Sequence, residues 1–404
     1  MDRLGPFEPR PRLAAAVSGG ADSMALVLLA RHWAASRGGT VLALTVDHGL
    51  RPEARAEAAL TLDRLAARGI AGRMLTATGL IHGPSLAERA REARYGLLLK
   101  ACAAAAIPHL LLGHHRADQG ETVMLRALSA SGARGLSGMA ALVETRFTRL
   151  LRPLLDVPPA WLRTFLMERG MAWVEDPSNR DQTARRARLR ALGADADGTG
   201  DGTAAVAAAA RAAGLGRAAE DARIAAILAE RVTFRPEGYA LLTPGPIAPA
   251  ALAALLRTIA GSAHAPPLDR TAALARDPRP ATLWGARIMA AGRWGPGWLV
   301  ARETRAMADA VAARPGAVWD GRFRLRAAPE GDITEPGATF GPLGADAARF
   351  RDRRGPPAAI AHGLPAVRRD GRVIAVPHMG FGDTRWAVLF DPRNPAACAP
   401  FVPG

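Results

Sequence analysis

The first 190 residues predict a Rossmann-like, doubly wound parallel α/β sheet. Three observations lead there: short apolar runs bounded by Gly, Asp or Pro, longer amphipathic stretches between them, and a glycine-rich turn joining the first run to the first stretch. Leu13–Val17 is apolar without alternation, as a strand covered on both faces must be. Ser23–Trp33 follows as a helix with Ala and Leu on one face. Val41–Val46 is the second strand, and Glu53–Arg68 and Ser85–Ala106 are long enough to be crossover helices. His109–Leu112 is the next strand that can be placed. Strand-helix alternation of this kind requires right-handed crossovers.

Residues 193–203 contain four glycines and no large apolar side chain, which reads as a linker. Beyond it, Ala204–Val232 is alanine-rich and helical, with Gly214 and Gly216 expected to divide it into two helices. A hairpin is expected around Pro236-Glu237-Gly238, a helix over Pro249–Ile259, and strands around Trp284–Ala301 and Arg372–Val376. The chain therefore divides into a catalytic domain over 1–192, the linker 193–203, a mainly helical domain over 204–305 for the substrate, and a small C-terminal α+β domain over 306–404.

Composition narrows the partner. Hydrophobic residues make up 49% of the chain, enough to bury real cores, while 53 basic against 37 acidic residues give +16. That excess predicts an anionic partner, with nucleic acid ahead of an acidic membrane surface. Residues 1–190 carry 27 basic and 17 acidic residues and the remainder 26 and 20, so both halves share the charge. Only two cysteines occur, Cys102 and Cys398, without metal-ligand spacing, which argues for a reducing compartment and against a structural zinc or iron–sulfur site. The most apolar stretch, Leu97–Leu112, is interrupted by Lys100 and His109 and is shorter than the ~18 residues needed to span a bilayer. With no apolar targeting segment after Met1, a cytoplasmic protein is expected.

Chemistry concentrates where strands end. Ser18-Gly19-Gly20-Ala21-Asp22-Ser23 joins the first strand to the first helix. Glycines there let backbone approach a ligand, the helix N-terminus offers free N–H groups to phosphate, and Asp22 is placed either to hold magnesium or to cap the helix. The single lysine of the chain, Lys100, is far away, which excludes a Walker A loop. Asp47-His48 ends the second strand, and Gly113-His114-His115-Arg116-Ala117-Asp118-Gln119-Gly120-Glu121-Thr122 follows the third. Ligands of open parallel sheets bind beyond the carboxyl ends of the strands, so these three segments converge on one site. Arg180, Arg185, Arg186, Arg188 and Arg190 form a stripe opposed only by Asp181, suited to phosphates; Arg349-Phe350-Arg351 with Arg353 and Arg354 is a second basic cluster.

These segments resemble a known family. The SGGADS turn looks like the pyrophosphate-binding loop of the PP-loop ATP pyrophosphatase superfamily, whose fold is adenine nucleotide alpha hydrolase-like. Val46 through Arg51, Gly113 through Thr122, Ala90-Arg91-Glu92-Ala93-Arg94-Tyr95, Leu151-Arg152-Pro153-Leu154-Leu155 and Glu175-Asp176-Pro177-Ser178-Asn179 are similar to motifs of tRNA(Ile)-lysidine synthases, in the same order. The sequence departs where that family carries a pair of aspartates, here Ala117-Asp118, and where an Asn stands between arginines, here Ala187. The resemblance implies ATP as co-substrate with magnesium, free lysine and a CAU-anticodon tRNA(Ile) as partners, and adenylation of the wobble cytidine followed by attack of the lysine amine. It implies ATP binding by Ser18 through Ser23, catalytic or lysine-binding roles among Asp47, His48, His114, His115, Asp118 and Glu121, and tRNA contacts from Arg152, Arg185, Arg186, Arg188 and Arg190. Two readings stay open beside it, tRNA thiolation on the same fold and a tRNA-binding module with a dead ATP site. A homodimer is left open as well.

Overall fold

The computed structural model describes residues 1–49, 53–79, 83, 85–129, 132–175, 195, 197–327, 335–350, 356–397 and 401–404. The chain divides into two compact units, Met1–Ala219 with Ala399–Gly404, and Glu220–Cys398.

The first unit is built on a seven-stranded sheet. Its strands are β1 (Arg12–Ala16), β2 (Thr40–Asp47), β3 (Ala71–Thr76), β4 (His109–Leu111), β5 (Ala140–Glu144), β6 (Arg149–Leu151) and β20 (Val402–Pro403), in the order β20-β5-β6-β4-β1-β2-β3. Strands β3, β2, β1, β4 and β6 run parallel, and β5 and β20 are antiparallel additions at one edge. Successive side chains of β1 enter different cores. Leu13 and Ala15 pack with α1 (Ala21–Ala35), while Ala14 packs with Leu98, Ala101 and Cys102 of α3 (Leu86–Ala104). This two-sided burial is what a continuous apolar strand requires, and it bears out the doubly wound sheet. The remaining helices of the unit that bear on the site are α2 (Ala54–Ala66) and α4 (Arg116–Leu128), with α5 (Ala133–Leu136) and α6 (Pro159–Met167) after them.

Helix α7 runs without interruption over Asp201–Arg231, so Gly214 and Gly216 do not divide it and residues 201–203 of the expected linker form its first turn. The alanines around the two glycines offset their helix cost, and Gly214 has a packing reason. A Cβ there would lie 2.8 Å from both Phe401 Cε1 and Pro403 Cβ, so only glycine admits the last strand. That strand also corrects the expected boundary at 404: the final residues return to the first unit and pair with β5.

The second unit contains a five-stranded antiparallel sheet, ordered β7 (Val232–Arg235), β8 (Tyr239–Leu242), β11 (Trp298–Arg302), β10 (Ala286–Ala290) and β9 (Ala281–Leu283). Helices α8 (Pro249–Ala260) and α9 (Leu268–Arg276) share its apolar core. The region 204–305 is mainly helical, as expected, but it also carries this whole five-stranded sheet. Expected elements do recur, with the 236–238 hairpin and strand β17 (Arg372–Val376) found as read. Among the described residues the unit also holds a second five-stranded sheet, ordered β12 (Val311–Ala312), β15 (Thr339–Pro342), β16 (Pro365–Arg369), β17 and β18 (Phe381–Gly382), and a three-stranded one, β13 (Val318–Trp319), β14 (Phe323–Ala327) and β19 (Trp386–Phe390); 220–398 is not divided at 305.

Candidate active site at the strand ends

Strands β4, β1 and β2 are neighbours in the sheet, so the three polar segments that follow them do emerge side by side. The turn after β1 is braced from within. Ser23 Oγ donates to the Gly20 carbonyl at 2.9 Å, accepts the Ser18 N–H at 3.1 Å and lies 3.2 Å from Ser18 Oγ. Ser23 is buried and committed to the loop's shape, whereas Ser18 is exposed. Gly19 has φ +88°, and its carbonyl accepts the Val174 N–H at 2.9 Å, which ties the loop to the segment before Glu175. A Cβ on Gly19 would meet Thr61 Oγ1 of α2 at 2.6 Å, so the residue is glycine for two independent reasons. Gly113 is closely packed: a Cβ there would stand 3.3 Å from Ser23 N and Cα, so a larger residue needs the turn after β4 and the start of α1 to part by a few tenths of an ångström.

Gly20, not Asp22, is the N-cap of α1, which removes capping as the role of Asp22. Its carboxylate, 36% exposed, lies 3.5 Å from His115 Nε2, and Asp118 Oδ2 is 3.6 Å from the same nitrogen. His115 caps α4 through a reciprocal pair: Asp118 N–H donates to His115 Nδ1 at 3.4 Å and His115 N–H donates to Asp118 Oδ2 at 3.0 Å. With Nδ1 accepting, the neutral ring carries its proton on Nε2, toward the two carboxylates. Asp118 is therefore a structural partner of His115 as well as a site carboxylate, and Glu121 is buried one helical turn on.

On the β2 side, Asp47 is buried and accepts the Gly49 N–H at 2.9 Å. His48 lies lower in pKa than an ordinary histidine, through burial first and then the Arg94 guanidinium. Burial holds His114 down to about 4, with Arg152 the largest charge acting in the same direction. Both imidazoles are neutral at pH 7.

Arg152 departs from the sequence reading. It is 8% exposed, its Nη1 donates to the Ala140 carbonyl at 2.7 Å, and it is bonded to Tyr95. A guanidinium so placed faces His114 inside the protein and does not lie on an outer surface for tRNA phosphates. Arg94 and Tyr95, which the sequence reading left out of the site, stand in this group. Their signal was the Ala90–Tyr95 motif itself, since no spacing along the chain links Tyr95 to Arg152. Arg185, Arg186, Arg188 and Arg190 lie outside the described residues, as do Asp176 to Asn179 and Arg51. In the second basic cluster Phe350 packs edge-on against Phe381 at 5.0 Å; Arg351 to Arg354 lie outside the described residues. Cys102 is fully buried, and burial pushes its thiol up to about 11, so it offers no thiolate for sulfur transfer.

The PP-loop domain model matches residues 3–193, the stretch that builds this site. A tRNA(Ile)-lysidine synthase from Ruegeria pomeroyi is 34% identical over 93% of this chain and 90% of its own length. The chain belongs to the tRNA(Ile)-lysidine synthase family. A second relative of that name, from Mesorhizobium japonicum, is 37% identical over 83% of this chain and 76% of its own. A third, from Bradyrhizobium sp. strain BTAi1, is 44% identical, but there the match spans about half of each chain, 46% of this one and 53% of the relative. Among solved structures, the U34-tRNA thiolase NcsA from Methanococcus maripaludis is 15% identical over 52% of this chain and 75% of its own, at a TM-score of 0.43. Membership brings with it a PP-loop ATP-using domain. Among the described residues no helix is long and apolar enough to cross a membrane, and no group of three His, Cys, Asp or Glu side chains is arranged to hold a metal ion.

Proposed function

We propose that this chain joins the side-chain amine of free lysine to carbon 2 of the wobble cytidine in a CAU-anticodon tRNA(Ile), consuming ATP. The observation that carries the reading is the abutment of three strand ends: the SGGADS loop, Asp47-His48 and the His114–Glu121 segment stand together on adjacent strands.

In the first step the carbon-2 carbonyl oxygen of cytidine attacks the α-phosphorus of ATP, and pyrophosphate leaves. The loop N–H groups and the N-terminal end of α1 face the phosphates, and Gly19 and Gly20 allow the close approach this needs. Magnesium neutralises phosphate charge when bound. Asp22 is the residue to hold it, since magnesium is satisfied by one or two carboxylates plus substrate phosphates and needs no protein cage. His115, with its Nε2 proton aimed at Asp22 and Asp118, keeps that carboxylate oriented.

In the second step the lysine amine attacks carbon 2, the carbon–oxygen bond to AMP breaks, and the oxygen departs with AMP. The amine reaches the site as an ammonium and must lose a proton first. Glu121 and Asp118, three residues apart on α4, are the carboxylates placed to bind the ammonium and accept that proton. Neutral His48 and His114 do not repel it.

The test separates the two steps. Pyrophosphate exchange into ATP that depends on added tRNA reports adenylation without lysine. Glu121→Gln is expected to keep that exchange and lose lysine incorporation; a variant that incorporates lysine at the parental rate removes Glu121 from the proposal.

A further inference from the structure

In the second unit, the hairpin between β9 and β10 turns in two residues, Trp284 and Gly285, both with positive φ, +56° and +76°. Turns of this type favour Asn-Gly or Asp-Gly, because a bulky side chain in the left-handed region is strained. The protein carries the favoured form elsewhere. Strand β16 (Pro365–Arg369) joins β17 through Asp370-Gly371, at φ +50° and +75°. A tryptophan in the strained position breaks a local rule that the fold obeys at the next opportunity, and such breaks mark function.

The ring is fixed where it stands. Its Nε1–H donates to the His264 carbonyl at 2.9 Å and to Ser262 Oγ at 3.3 Å, yet Trp284 remains 43% exposed. It lines a cavity of about 600 Å³ together with Ser262, Arg302, Val311, Val318 and Asp320. Asp320 accepts from Arg302 Nε and Nη2, both at 3.0 Å, and from Arg322 Nε at 2.8 Å. Of these charged groups Arg302 and Asp320 line the cavity; Arg322, only 1% exposed, lies behind Asp320 and leaves the group with an excess positive charge that water does not screen. Gly285 is part of the same construction: a Cβ there would lie 2.4 Å from Arg302 Nη1.

We propose that this cavity binds an unpaired nucleotide of RNA, with the base stacked on Trp284 and the phosphate drawn to Arg302, the cation that lines it. An exposed, immobilised aromatic face beside a cation is the combination that unpaired nucleotides select, and a chain of net charge +16 recruits RNA to it. The inference rests on the reading that the substrate is a tRNA.

Trp284→Asn tests it without endangering the fold, because asparagine is the residue the turn prefers and the indole leaves an exposed site. The probe is a short single-stranded oligoribonucleotide, titrated against the full chain by fluorescence anisotropy, with thermal melting alongside. Trp284→Asn is expected to melt at or above the parental temperature and to bind roughly tenfold more weakly, the loss of one stacked base; Trp284→Phe is expected to keep most of the affinity. Parental affinity in Trp284→Asn overturns the proposal, and a lowered melting temperature overturns the claim that the ring is held for binding. Free AMP that binds as tightly as the oligonucleotide makes this a mononucleotide site and overturns the RNA assignment. The two readings fail separately. In a chain that modifies tRNA, Trp284→Asn should raise KM for tRNA and leave kcat unchanged, whereas a chain that modifies no tRNA but binds the oligonucleotide through Trp284 loses only the proposed reaction.

Discussion

Gly19→Ala should cripple ATP use for two separable reasons. At φ +88° an alanine pays about 1–2 kcal/mol for the left-handed backbone. Its methyl would also meet Thr61 Oγ1 at 2.6 Å, and Thr61 has nowhere to go: it is buried, and its hydroxyl donates to the Glu57 carbonyl at 2.8 Å. Overpacking of that kind costs about 1–3 kcal/mol. The loop cannot slide aside as a unit either, because the Gly19 carbonyl is bonded to Val174. Together these terms come to about 2–5 kcal/mol, or roughly 30-fold at the least when they are expressed in the alignment of the loop N–H groups with phosphate. The assay is tRNA-dependent pyrophosphate exchange with ATP varied, paired with thermal melting. Thr61→Ala in the same background removes the contact and leaves the backbone cost, so the double variant should recover about 1–3 kcal/mol relative to additivity. Parental KM for ATP and a parental melting temperature in Gly19→Ala would refute the reasoning, and strict additivity with Thr61→Ala would show that the contact is not the cause.

Three further outcomes are expected. His114, held down to about 4 in the fold by burial and Arg152 and titrating near 6.5 when unfolded, is neutral in both states above pH 6.5; as pH falls from 6.5 toward 4 the unfolded chain takes up the proton first and stability is lost, by about 1–2 kcal/mol at pH 5. Urea unfolding of the parent and of His114→Asn at pH 7 and pH 5 checks this, and equal losses in both contradict it. Gly214→Ala should destabilise the chain, because its methyl displaces Phe401 and Pro403, yet it should stabilise a chain shortened to residue 398 by up to about 1 kcal/mol, where only the gain in helix propensity remains; the same sign in both, read by chemical denaturation, counts against the packing of the last strand on α7. Affinity for tRNA should fall steeply between 50 and 200 mM salt, roughly as counterion release from several phosphates requires, and a flat profile is incompatible with phosphate contacts by the arginines.

The parts of the fold that could be read from the sequence share a physical cause. Strands β1, β2 and β4 are covered on both faces, so burial writes a continuous apolar run into each. Strand β3 lies at the sheet edge with Ala71, Gly72 and Arg73 exposed, and no such run marks it. Strand β20 pairs with β5 across more than 250 positions, a contact no local pattern encodes. Helix α7 looked divisible because glycine is costly in a helix, but that cost is outweighed by alanine on either side and by the ring that needs the space at Gly214. The candidate site was legible because ligand-facing residues of a parallel sheet sit in consecutive positions at strand ends, as in Ser18–Ser23 and Gly113–Glu121. Arg152 was misplaced for the complementary reason. An arginine reads as a surface cation until the neighbours that bury it, Tyr95 and the Ala140 carbonyl, are known. Trp284 carries no mark in the sequence, because the strain that singles it out is a property of φ.

The reaction itself is tested most directly by incubating the full chain with ATP, lysine and a CAU-anticodon tRNA(Ile), followed by nucleoside mass spectrometry of the digested tRNA. The wobble cytidine should gain the mass of one lysine less one water, with AMP and pyrophosphate released and no gain when ATP is omitted. An unmodified cytidine, from protein that binds the tRNA and is folded, would contradict the proposed ligation.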